Sequence, residues 1–386
     1  MADTKYSGTD ESYSLLTIKF NDRRIFGLDI LRSLAILFVV IGHGGYLLES
    51  EYFKYINFFI FDGVSIFFVL SGFLIGVILI KILNNDNLST THLMDFWFRR
   101  WMRTLPNYFF VLFILLALNM LFTPRFVMSD KIYYIFFIQN FSSIHPNFFP
   151  EAWSLSIEEW FYLLIPTILF ISVYYLRLKI GISIIVTASL IILFSIYMRY
   201  IRFNAGLIDD EESWNYLLRS QVITRLDSLL FGVLGAFFYL YRFKYWNKYK
   251  VAYFGVGIVI LIMNKFNIQH YQPYGFYQSV ALFSTNSFAT LLLLPFLNSV
   301  KTGKGVFYKI ITLISLISYS MYLTNLSVVQ YWILESIDWE LLISNSYLLI
   351  VLKYFAYWSF TLGISILMYK FIELPFLRLR DKIMII

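Results

Sequence analysis

Long apolar runs separated by short polar loops recur along the whole chain, at about 27–48, 56–80, 105–122, 153–176, 180–201, 222–241, 251–264, 278–298, 307–333 and 346–372. Most match the roughly 20 residues that a helix needs to cross a bilayer. The pattern predicts an all-α polytopic membrane protein of about ten transmembrane helices, with the seventh short and the ninth long. The run at 131–138 is too short to cross and predicts a re-entrant or surface helix. No internal repeat is visible. Three parts follow: a polar N-terminal tail over 1–25, a helical membrane domain over 26–375 and a tail over 376–386.

Composition agrees with the pattern. Of 386 residues, 59% are hydrophobic and only 14% charged, and the mean hydropathy is +0.68. A soluble globular chain carries about 25% charged residues. A net charge of +7 would suggest nucleic acid if the basic residues formed a patch, but they sit in the short loops. Loops on the N-terminal side of the bundle hold 21 of the 31 Lys and Arg, the opposite loops hold 7, and Arg32, Arg225 and Lys353 fall within spans. Cytoplasmic loops collect positive charge, so both termini are expected in the cytoplasm. The first 25 residues are polar and of mixed charge, and no removable signal peptide is expected. The chain has no cysteine, which excludes disulfides, thiolate metal sites and a cysteine nucleophile. Its four histidines, at 43, 92, 145 and 270, lack metal-ligand spacing, and no metal is expected.

The first span, Phe26 to Leu48, carries Asp29, Arg32 and His43. Ionisable groups are costly in hydrocarbon and are commonly functional there. A separation of eleven residues returns Arg32 and His43 to within about 20° of one helical direction, roughly 16 Å apart in depth. Asp29 is the nearest candidate to neutralise Arg32. The bland alternative is that Arg32 snorkels and His43 caps a neighbouring helix. In the second span Ser71 lies among Gly63, Gly72 and Gly76, a composition that also suits helix packing. Arg99, Arg100 and Arg103 precede the third apolar run; they suit phosphate groups, or merely hold the helix in place. Pro106 fits an element boundary at this point. The long loop on the other side leads into Trp153, Ser154, Glu158 and Glu159, where a carboxylate could orient His43 or bind an acceptor hydroxyl. Arg225 and Asp227 are expected to pair or to lie near the surface, and Ser318–Asn325 is polar on one side.

As a set, these pieces resemble the membrane acyltransferase 3 family: LDILRSLAILFVVIGH at Leu28–His43, GVSIFFVLSGFL at Gly63–Leu74, RRWMRTLP at Arg99–Pro106, WSLSIEEWFYLLIP at Trp153–Pro166, RLDSLLFG at Arg225–Gly232, SYSMYL at Ser318–Leu323 and IELP at Ile372–Pro375. Asn325 stands where many members have a histidine. The resemblance implies a bundle around an internal acyl-donor cavity, in a stand-alone form without an esterase-like domain. It further implies transfer of an acyl group, acetyl by preference, from cytoplasmic acyl-coenzyme A to a hydroxyl of an envelope polysaccharide or lipid-linked glycan across the bacterial inner membrane. On that basis His43, Glu158 and Asp29 are catalytic candidates, and Arg32, Arg99, Arg100 and Arg103 hold the donor. Trp153, Ser154, Glu159, Ser71 and Tyr322 meet the acceptor. A glycolipid transporter or flippase is the alternative, because it too would line a pathway with Arg, His and carboxylates.

Overall fold

A computed structural model describes residues 24–48, 50–123, 126–270, 274–342 and 345–383. Most of the expected N-terminal tail, and the last three residues of the expected C-terminal one, lie outside the described residues. Those described are helical with no strand. The long helices are α1 (Phe26–Gly44), α2 (Gly63–Leu83), α3 (Thr90–Phe122), α4 (Ala152–Phe170), α5 (Ile180–Asn204), α6 (Val222–Tyr241), α7 (Lys250–His270), α8 (Leu282–Ser299), α9 (Gly305–Thr324) and α10 (Ser346–Met368). Nine helical stretches among the described residues are long and apolar enough to cross a membrane. Helix α7 lies where the sequence predicts the short seventh span. The run at 131–138 forms only a four-residue helix, Ile132–Ile135, anchored by buried Tyr134. Residues 376–383 of the expected tail belong to a helix, Leu374–Ile383.

Helix α1 sits inside the bundle against α2, α8 and α9. Its first N–H groups, which no helix can satisfy internally, donate to the end of α8: Phe26 to the Lys301 carbonyl and Gly27 to that of Val300. Ser33 ties it to α9 through the Ile311 carbonyl at 2.8 Å. Helices α2 and α6 touch backbone to backbone. A Cβ on Gly72 would stand 1.9 Å from the Leu229 carbonyl oxygen, and one on Gly232 would stand 2.2 Å from that of Val69. Small residues permit this approach, which replaces side-chain packing with close backbone contact in a phase where apolar side chains gain little from leaving lipid.

Three expectations need correction. Pro106 does not mark a boundary: α3 runs through it for 33 residues. Proline inside a membrane helix is tolerated where neighbours satisfy the disturbed backbone. The carbonyl that Pro106 cannot serve is that of Met102, four residues back; close by, the Tyr319 hydroxyl donates to the Thr104 carbonyl at 2.8 Å. Arg225 and Asp227 are not a pair, because residues two apart on a helix point in nearly opposite directions. Asp227 instead meets Arg199 at 2.8 Å with both side chains fully buried, and Arg225 donates to Ser65 Oγ at 2.7 Å. Arg199, counted above with the loops opposite the N-terminus, is therefore an interior residue of α5. It is held by the carbonyls of Val280 and Thr224 and by Ser284, which supply the partners a buried charge requires.

Candidate active site

His43 occupies the last turn of α1. Its Nδ1 lies 2.7 Å from Asn325 Oδ1. The Asn325 amide is oriented by its other end, where Nδ2 donates to the Met321 and Tyr322 carbonyls at 2.7 and 2.9 Å. Its oxygen therefore faces the ring, and an amide oxygen only accepts. Nδ1 must carry the proton, which leaves the lone pair on Nε2. The Tyr357 hydroxyl, 2.9 Å from the Val40 carbonyl and 3.3 Å from Asn325 Oδ1, braces the pair. Gln330 donates to the His43 carbonyl at 2.7 Å. Asn325 opens a stretch of π-helix, Asn325–Leu334, in which the backbone widens just where the imidazole meets it. Such wide turns often occur at functional sites.

His43 lines a cleft with about 1540 Å³ of empty space, walled also by Glu151, Trp153, Arg219 and Tyr331. Glu151, just ahead of α4, is buried and accepts from the Ser327 N–H at 2.8 Å and from its hydroxyl, clamping the start of the widened stretch. Burial pushes its carboxyl up to about 7, against the opposing hydrogen bonds from Ser327. His145, in the same wall, is pushed down to about 4 by burial; it is neutral, with Nε2 donating to the Phe149 carbonyl at 3.0 Å. The Arg219 guanidinium lies 5.2 Å from the centre of the Trp153 ring.

A second cleft, with about 800 Å³ of empty space, lies toward the other end of α1 and is lined by Arg32, Arg100 and Arg103. Ser71, Ser154, Glu158 and Tyr322 are among its other polar lining residues. The uninterrupted α3 explains the arginine placement: Arg100 and Arg103, three apart, share one helical face, while Arg99 is exposed and outside the lining. Glu158 is the one carboxylate in that lining among the described residues, 3.2 Å from the Tyr162 hydroxyl. The linings of the two clefts adjoin at consecutive residues of α4, with Trp153 in one and Ser154 in the other. Between them Ser154 donates to the Tyr322 hydroxyl at 2.7 Å, and Tyr322 donates to the Glu151 carbonyl at 3.0 Å.

The candidate residues thus divide. Arg32, Arg100, Arg103, Ser71, Ser154, Glu158 and Tyr322 gather in the arginine cleft, and His43 and Trp153 in the other. Asn325, and not Glu158, holds the imidazole. Asp29 lines neither cleft: it hydrogen-bonds Arg24 through both oxygens and accepts from Ser315 at 2.8 Å, with Arg32 further off at 3.8 Å. Glu159 also lies outside both linings and accepts from Thr104 at 2.8 Å, joining α4 to α3. Glu151 and Arg219 were not singled out from the sequence. A glutamate in a polar loop, and an arginine among loop charges, carry no periodic signal.

An acyltransferase-domain family model, acyltransferase 3, matches residues 25–370. O-acetyltransferase OatA of Staphylococcus aureus is 29% identical over 248 residues, which cover 59% of this chain and 37% of OatA. Another Staphylococcus aureus protein, provisionally named an O-acetyltransferase, is 28% identical over 394 residues, or 92% of this chain and 57% of that one. A Bacillus subtilis protein, YrhL, provisionally named a peptidoglycan O-acetyltransferase, is 32% identical over 199 residues, covering 48% of this chain and 29% of YrhL. The chain spans between about a third and somewhat over half of the length of these relatives. No solved structure matches it. With the family pattern running through α1 to α10 and both clefts inside the matched region, the chain belongs to the acyltransferase 3 family.

Proposed function

We propose that this chain is an integral membrane O-acyltransferase that moves an acyl group, acetyl by preference, from acyl-coenzyme A to a hydroxyl of an envelope glycan. The support for this is a cleft where Arg32 of α1 meets Arg100 and Arg103 of α3, and, further along α1, His43 with no hydrogen-bond partner on Nε2 among the described residues, the two linings adjoining at Trp153–Ser154. Three guanidinium groups suit the phosphates of a coenzyme A donor, which they grip with paired N–H groups. Placed by the charge of the loops, the arginine cleft is cytoplasmic and the His43 cleft opens outward, in a bacterial inner membrane with both termini inside.

In the proposed reaction the acceptor hydroxyl gives its proton to His43 Nε2 as its oxygen attacks the thioester carbonyl. A C–O bond forms, the C–S bond breaks, and the departing thiolate takes the proton back from the imidazolium. The Asn325 oxygen keeps the ring turned and accepts from Nδ1–H throughout, as the orienting member does in other histidine-based sites. The test is to incubate membrane vesicles with radiolabelled acetyl-coenzyme A and follow label into extracted glycan. Wild type should label glycan, and His43→Ala should lose at least about a hundredfold in rate with unchanged insertion, as removal of a general base does. Turnover at the wild-type rate in that variant would refute the role. Movement of unlabelled glycan without labelling would mark a transporter. Label trapped on His43 without acceptor would replace the base by a nucleophile.

A further inference from the structure

A third cleft, with about 1050 Å³ of empty space, opens beside the His43 cleft between the start of α2, the segment ahead of α6, α7 and α8. Its polar lining includes Asp62, Arg219, Asn264, Lys265 and Asn286, with Trp214 as an aromatic wall. Arg219 lines both this cleft and that of His43, so one side chain borders the two.

Two features make this more than an irregular gap between helices. Asn264, at the end of an apolar run, and Asn286, within the polar run Ser284–Ser287, are both buried, and polar groups are kept at such depth only with partners or a purpose. Asn264 is used fully: it donates to Asn286 Oδ1 at 2.7 Å and accepts from the Tyr277 hydroxyl at 2.5 Å. That orients Asn286 and leaves its Nδ2 donor uncommitted among the described residues.

The second feature is charge. Lys265 Nζ donates to the Ile60 carbonyl at 2.8 Å, and no carboxylate lies within 4.0 Å of Lys265 or Arg219 among the described residues. Asp62 is already engaged by Ser65 and by Arg225 at 4.0 Å, and Glu211 is exposed at the rim. Behind Asp62, Nε and Nη1 of wholly buried Arg225 have no hydrogen-bond partner. The lining sets Lys265 and Arg219 against Asp62 and Glu211, and Arg225 behind Asp62 adds one further positive charge, beside an uncommitted amide donor and an indole face.

We propose that this cleft is a subsite for an anionic sugar of the acceptor glycan, whose carboxylate or phosphate ester is held by Lys265 and Arg219 and whose hydroxyls meet Asn286 and Asp62. It deepens the acyltransferase proposal by naming the acceptor class, and rests on it only for the word acceptor. The test is direct binding to the full chain in phosphatidylcholine nanodiscs, by calorimetry, of a hexuronate-containing disaccharide, its carboxyl-reduced counterpart and a hexose phosphate. An acidic probe should bind about tenfold or more tightly than the reduced one, the scale of one charge-assisted hydrogen bond. Lys265→Met should erase that preference and Lys265→Arg should keep it. Whichever acidic probe binds more tightly identifies the anion. Equal binding of acidic and reduced probes, or a preference unaltered in Lys265→Met, would overturn the subsite. So would loss of hexuronate binding in discs containing phosphatidylglycerol, which would give the cleft to a lipid headgroup. Absence of acetyl transfer with the charge preference intact would refute the acyltransferase proposal alone.

Discussion

At the residue scale, the decisive atoms are the two nitrogens of His43. A buried amide whose nitrogen is committed to helix carbonyls can present only its oxygen, so Asn325 dictates the tautomer without carrying charge. Asn325→Ala should lower kcat about tenfold, the loss of one orienting hydrogen bond, while leaving donor affinity unchanged. Single-turnover rates and acetyl-coenzyme A binding measured on the same sample check this, and an unchanged kcat would remove Asn325 from the reaction. The double variant Arg100→Gln and Arg103→Gln should do the reverse, weakening acetyl-coenzyme A binding at least about tenfold through lost charge-assisted hydrogen bonds. Unaltered affinity would leave that cluster with a purely topological role. His43 was legible from its depth on an apolar helix. Its partner was visible only as an asparagine where a histidine is common, because one amide in a polar turn looks like any other.

At the element scale, apolar run lengths located the membrane helices, and the basic loops suggested their alternation. What pattern alone misplaced were features that depend on a neighbouring helix. Pro106 read as a boundary because local rules penalise it inside a helix, yet α3 continues through it, with a contact from Tyr319 of α9 to the Thr104 carbonyl close by. The Arg199–Asp227 pair joins α5 to α6, and no spacing within either segment encodes it. The glycines of α2 could serve packing or a site, and the 1.9 Å from a Cβ on Gly72 to Leu229 assigns that position to packing. Gly72→Val should accordingly destabilise the α2–α6 contact by about 1–3 kcal/mol, the range for overpacking a close-fitted interface. Thermal unfolding in detergent measures it, and an unchanged midpoint would mean that the two helices part easily.

At the scale of the whole molecule, the arrangement includes two clefts whose linings adjoin at consecutive residues of α4 and take Arg32 and His43 from the two halves of α1. One cleft gathers fixed cations, and the other holds an imidazole with a defined lone pair. A helical period of 3.6 residues is enough to foresee that Arg32 and His43 share a face, which made this much of the site legible. The Arg219 wall, the Glu151 clamp and the third cleft were not, because each is assembled from segments far apart in the chain. The direct test uses proteoliposomes with acetyl-coenzyme A confined to the side of the arginine cleft and glycan confined to the side of the His43 cleft. Label should reach the glycan across the bilayer in wild type and should not in His43→Ala. Label that appears only when donor and acceptor share one compartment would show that the two clefts are not halves of a single transfer path.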